Sequence, residues 1–141
     1  MNTMNEIRFG DNLAVLKDNI VKTSILPQKN TELTRNLKLQ GNVVIEGGVF
    51  SNTIDIENGP AVFKGAVYTN RELHILNTSK DTVIFEKAVA SADSVNALLT
   101  AGQAVFGADI NAMSVKLKNC FIAGSIFAAE VYLENCVVLG G

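Results

Sequence analysis

Leu117-Lys118-Asn119-Cys120-Phe121-Ile122-Ala123-Gly124 returns sixteen residues later as Leu133-Glu134-Asn135-Cys136-Val137-Val138-Leu139-Gly140. Toward the N-terminus a looser skeleton persists: two apolar residues, any residue, a small one, any residue, then an aliphatic one. It reads Val44-Ile45-Glu46-Gly47-Gly48-Val49, Val62-Phe63-Lys64-Gly65-Ala66-Val67 and Ile84-Phe85-Glu86-Lys87-Ala88-Val89. Val105-Phe106-Gly107-Ala108-Asp109-Ile110 and Phe121-Ile122-Ala123-Gly124-Ser125-Ile126 follow, with a partial copy at Val137-Val138-Leu139-Gly140. Short alternating runs stand ahead of these copies: Leu37-Lys38-Leu39, Ile54-Asp55-Ile56, Leu73-His74-Ile75, Val115-Lys116-Leu117 and Val131-Tyr132-Leu133. Alternation of that kind marks a strand with one buried face. Each period therefore holds about three short strands and no helix.

Such a unit cannot bury its own apolar face. Stacking equivalent units does, each strand pairing in parallel with its counterpart in the next coil. The expected fold is all-β: a single-stranded parallel β-helix, or β-solenoid, of about six short coils. At the usual strand spacing it is a rod about 29 Å long. The solenoid domain spans 36–141 and residues 1–35 form an N-terminal segment. In that segment Leu13, Leu16 and Ile20 recur at i, i+3 and i+7, which suits a short amphipathic helix after Asp11; as a short helix or a strand, the segment is expected to cover the rod.

Alternation also sorts inside from outside. Val49, Val67, Val89, Ile110 and Ile126 form one internal stack, and Ile45, Phe63, Phe85, Phe106, Ile122 and Val138 another. Val44, Val62, Ile84, Val105, Phe121 and Val137 then point outward, an apolar stripe longer than a soluble monomer usually leaves bare. Either the N-terminal segment or a second rod is expected to cover it. Elsewhere Lys38 lies over Asp55 and Lys118 over Glu134, opposite charges on neighbouring rungs of a solvated face.

The 15 Asn and 15 Val of the 141 residues fit this scheme. Val fills the ladders. Asn58, Asn77, Asn119 and Asn135 each fall two residues after the last inward aliphatic of the alternating run, where the chain turns, with Gly41 in the equivalent place of the first coil. Asn tolerates a left-handed backbone and satisfies local amides, so a corner ladder of stacked side chains is expected. Insertions (59–61 and 78–82) gather at this corner, where they leave the ladders undisturbed.

Charge narrows function by exclusion. Twelve Lys and Arg against fourteen Asp and Glu leave a net charge of −2, without the clustered cationic surface a phosphate backbone wants; nucleic acid is not an expected partner. No apolar stretch approaches the length of a membrane span, and the start of the chain does not read as a signal peptide. Two cysteines do not make a disulfide scaffold, so the expected compartment is the cytoplasm with reduced thiols. His74 is the sole histidine, which removes three-histidine metal sites and weakens any acid–base assignment. Nothing reads as a phosphate loop or a nucleophile triad. No catalytic residue, metal or cofactor is expected.

The stacked copies, such as Val43-Val44-Ile45-Glu46-Gly47-Gly48-Val49 and Ile122-Ala123-Gly124-Ser125-Ile126, resemble the bactofilin family of bacterial cytoskeletal proteins over residues 36–141. The resemblance implies a right-handed β-helical core that polymerises end to end without nucleotide, sometimes with membrane association through a terminal tail. The tail here, Met1-Asn2-Thr3-Met4-Asn5, is polar and gives no support to a membrane anchor. The expected role is a self-assembling structural scaffold that partners with itself, with contacts at Phe127, Val137, Val138 and Leu139. The alternative is a carbohydrate-binding or carbohydrate-active β-helix, for which Phe50, Tyr68 and Phe127 offer aromatic platforms.

Overall fold

The computed structural model describes residues 2–3, 13–26 and 36–140. Every regular element among them is a strand, and every strand pair is parallel and runs in sequence order, which is the expected β-solenoid. The strands line up as three faces. The first carries the alternating runs in seven strands: Leu13–Leu16, Asn36–Gln40, Thr53–Asn58, Leu73–Ile75, Ser94–Leu98, Ser114–Lys118 and Glu130–Glu134. The second carries the paired apolar residues in eight: Asn2–Thr3, Asn19–Val21, Val43–Ile45, Ala61–Phe63, Thr82–Phe85, Gln103–Phe106, Cys120–Ile122 and Val137–Val138. The third has five, Val49–Ser51, Val67–Thr69, Val89–Ser91, Ile110–Asn111 and Ile126–Phe127, extended by a bridge from Ile25 to Val49.

Buried and half-buried residues alternate on strands such as Asn36–Gln40 and Ala61–Phe63 because each is packed on one side only. The inward residues stack like on like. Phe63, Phe85 and Phe106 lie face to face with centroids 4.7 and 4.9 Å apart and planes within 10° and 5°. A parallel in-register ladder brings identical rings to strand spacing, and fully buried aromatic surface contributes strongly to the core. Val49, Val67, Val89 and Ile110 form the second internal stack, all buried; Ile126, one rung further on, is half-buried.

The N-terminal segment differs from expectation. Residues 13–21 are not a helix lying across the rod. Leu13–Leu16 and Asn19–Val21 are two strands that pair with Asn36–Gln40 and Val43–Ile45, so they form one more coil. Ala14 and Leu16 point inward and are buried, and the turn between the strands falls on Asp18, at φ 52°. The apparent i, i+3, i+7 period arises from two strands separated by a corner. Most of the remaining N-terminal residues lie outside the described residues. A second addition is the strand Ser94–Leu98, which completes the first face between Leu73–Ile75 and Ser114–Lys118.

Candidate functional site

The surfaces of the rod are taken as the candidate site. The outward stripe of the second face is in register across seven rungs: Ile20, Val44, Val62, Ile84, Val105, Phe121 and Val137. Exposure grows along it, from half-buried at Ile20 to 37 % at Phe121 and 52 % at Val137. Residues 13–21 extend the stripe by a rung and do not cover it.

The third face carries Phe50, Tyr68, Ala90, Asn111 and Phe127 outward in one column. Phe50 and Tyr68 stack with centroids 4.9 Å apart. Beside them the small residues Gly48, Ala66 and Ala88 leave a shallow groove of about 310 Å³, bounded at one end by Leu26. Its walls are almost wholly apolar. The first face carries ion pairs between its rungs. Lys118 meets Glu134 at 3.8 Å as expected, but Lys38 reaches diagonally to Glu57 at 3.2 Å, and Asp55 faces His74 at 3.5 Å instead. A lysine stem is long enough to lean across to the diagonal neighbour, whereas the short Asp55 side chain meets the rung above it. Gln40 adds a hydrogen bond to Glu57 at 3.2 Å.

The corner asparagines are placed as follows. Asn77, Asn119 and Asn135 adopt left-handed φ of 40°, 60° and 51°. Asn42 does the same beside Gly41, so the second coil turns over two residues where one was expected. Asn58 does not: it ends its strand, where the register shifts by one as Gln40 pairs with it. Nor is the ladder continuous. Asn135 Nδ2 donates to Asn119 Oδ1 at 2.6 Å, but Asn119 Nδ2 donates to the Leu99 carbonyl at 2.8 Å, because no Asn stands at that rung. Asn77, fully buried, accepts from the Gly59 amide at 2.7 Å and from Ser79 Oγ at 3.0 Å, and donates to the Asp81 carbonyl at 2.7 Å. It folds the 78–81 insertion down over the neighbouring coil.

A different corner has buried hydroxyls that sequence reading missed. Ser51 and Thr69 each donate to the carbonyl two residues on, Thr53 and Arg71, both at 2.6 Å, and Ser91 donates to the Arg71 carbonyl at 2.6 Å. The recurrence of a small hydroxyl residue two places after the inward valine (Val49, Val67, Val89) is the signal for it.

At the far end, the last rung presents core-type residues to solvent. Val131 and Leu133 continue the inward columns of Val115 and Leu117, yet are 49 % and 41 % exposed. Val138 is half-buried, and Phe127, Val137 and Leu139 are exposed beside it. The opposite end of the first face is unlike this: Ala14 is 1 % exposed and Leu16 is fully buried. Cys120 and Cys136 are free and sit on successive rungs. Burial, with the adjacent Cys136 as the lesser cause, pushes the Cys120 thiol up to about 12. Among the described residues no group of three or more His, Cys, Asp and Glu converges to hold a metal, and no helix is long and apolar enough to cross a membrane. Compared with known proteins, the chain matches no family model, no curated protein and no solved structure.

Proposed function

We propose that this chain is a self-assembling structural scaffold whose association surface is the last rung of the solenoid. The observation that carries the proposal is the exposure of Val131 and Leu133, residues of the inward columns, beside Val138, Phe127, Val137 and Leu139. A rung that offers unpaired strand edges together with core-type side chains accepts another strand layer readily. A second copy of the chain supplies one. The role is mechanical, setting the spacing and continuity of an assembly, as the resemblance to bactofilins also implies. The free cysteines fit a reducing compartment, the cytoplasm.

Sedimentation velocity over a wide concentration range is the test. The wild type is expected to form concentration-dependent assemblies, and both Val138→Lys and the more exposed Leu139→Glu to reduce them to the species that remains at high dilution. Wild-type protein that stays monomeric throughout, or variants that assemble as the wild type does, would overturn the proposal. Assembly that disappears when further coils extend the chain would mean that the rung is covered in cis, and would overturn it too.

One observation favours a second reading, a carbohydrate-binding face: the Phe50–Tyr68 stack is a flat aromatic platform. Its apolar surroundings offer few groups to bond sugar hydroxyls. A melting temperature unmoved by a panel of oligosaccharides removes this reading.

A further inference from the structure

Beside the apolar stripe of the second face runs a column of charges. The residues that follow inward Val21, Ile45, Phe63 and Phe85 are Lys22, Glu46, Lys64 and Glu86, in register on four successive rungs and all exposed. Their signs alternate: plus, minus, plus, minus. Beyond them the column loses charge at Gly107, Ala123 and Leu139. On the other flank of the same stripe stand Asp18, Asn42, Pro60 and Thr82, with one charge among the four.

A column of four alternating charges is complementary to its own reversal. We infer that this half of the second face binds a second copy of the chain in an antiparallel, two-fold dimer. The axis lies along the strand direction between the rungs of Val44 and Val62. The rotation sets Lys22 opposite the second copy's Glu86 and Glu46 opposite its Lys64, and the symmetry repeats both pairs. It also lays Ile20 against Ile84 and Val44 against Val62, so the apolar stripes cover each other. The parallel arrangement of two rods fails this match: it places the charged column against the nearly neutral flank, where only Asp18 can answer Lys22. Charge complementarity therefore chooses both the occupant and its direction. Four rungs span about 19 Å, so the contact is modest and salt-sensitive.

Alternation also has an in-chain effect, seen in the Lys22–Glu46 pair at 3.7 Å. The two effects separate cleanly. Exchanging the middle pair as Glu46→Lys with Lys64→Glu leaves like charges adjacent within the chain (22 with 46, 64 with 86). It nevertheless keeps every cross-copy pair opposite in sign.

This inference deepens the scaffold reading and rests on it in taking self-association as the work of the surface. The experiment is sedimentation velocity of the full chain at low and high salt, with thermal melting by circular dichroism to show that each variant folds. Glu46→Lys alone and Lys64→Glu alone are each expected to weaken the dimer about tenfold or more, because each sets two like-charge pairs across the axis. The double exchange is expected to restore it while lowering the melting temperature. Mixing the two single variants is expected to give a heterodimer, since all four cross pairs are then opposite. Single variants that dimerise as the wild type does, or a double exchange and a mixture that fail to restore the dimer, would overturn the inference. Val138→Lys distinguishes the two readings: it is expected to spare this dimer, and assembly lost in Val138→Lys but untouched by Glu46→Lys would leave end association standing and the lateral dimer refuted. A wild type that is monomeric at low salt would refute both.

Discussion

The two cysteines sit on consecutive rungs of one ladder, yet their environments separate them. Cys120 is buried beside Ala104, and desolvation holds its proton, while Cys136 lies on the next rung and is half-buried. Thiolate is the reactive form, so iodoacetamide at mildly alkaline pH is expected to modify Cys136 in the native protein and Cys120 only on unfolding. Peptide mass mapping of the labelled chain checks this; equal labelling of both would show the last rung opening as a unit. The same shift has a stability consequence. Cys120 titrates near 9.0 when exposed and near 12 when folded. Its contribution is thus complete below pH 9 and is lost as pH rises toward 12, the unfolded chain giving up its proton first. Residue-scale features of this kind were only partly legible. That the cysteines stack follows from the sixteen-residue repeat, whereas the difference between them depends on which rung has a neighbour above it.

At the scale of the element, the corner formed by Asn77 shows what sequence alone resolves and what it leaves out. The position two residues past the inward aliphatic marks a turn, and the left-handed φ of Asn77, Asn119 and Asn135 follows from it. The partners do not, because they depend on how long each insertion is. Where the corner is one residue long, Asn135 bonds to Asn119; where 78–81 is inserted, Asn77 turns inward to hold the loop. Asn77→Ala removes one acceptor and one donor from a buried site and leaves the Gly59 amide only its longer bond, 3.2 Å, to Ser79 Oγ. It is expected to lower stability by about 1–3 kcal/mol, read from urea unfolding. A change below a few tenths would mean that water replaces the side chain without strain. The strand Ser94–Leu98 escaped sequence reading for a related reason: its second inward residue is Ala97, too small to stand out in an alternating pattern, although it is buried like its neighbours. The segment at 13–21 misled in the opposite direction, Leu16 and Ile20 falling at helical spacing across the corner at Asp18.

Across the whole molecule, the order of coils along the rod becomes an order of stability. Each coil contacts only its neighbours, so opening proceeds from whichever end is least covered. The exposed first-face strand Glu130–Glu134 marks that end, and the stacked rings of Phe63, Phe85 and Phe106 occupy the middle. Hydrogen exchange followed by mass spectrometry is expected to show protection lowest over 130–138 and highest over the coils that carry the three rings. Uniform protection from 36 to 140 would instead indicate all-or-none unfolding. The fold at this scale was the most legible level, since a sixteen-residue repeat with three strand signals admits few arrangements. The functional surfaces were legible only as stripes. Which end is covered, and that the charge column reverses onto itself, depends on the register between coils.

The hydrogen bond from the Gly59 amide to Asn77 has a consequence for the ageing of the protein. Asn58-Gly59 is the dipeptide most prone to deamidation, in which the glycine's backbone nitrogen attacks the asparagine side chain to close a succinimide. Here that nitrogen is buried and its N–H donates to Asn77 Oδ1 at 2.7 Å and, at 3.2 Å, to Ser79 Oγ. Ring closure at Asn58 is therefore expected to be slower in the folded protein than in the unfolded chain, opposed by a side chain eighteen residues away in the next coil; peptide mass mapping after prolonged incubation checks this. A corner residue that turns the chain is thereby also placed to slow its chemical ageing.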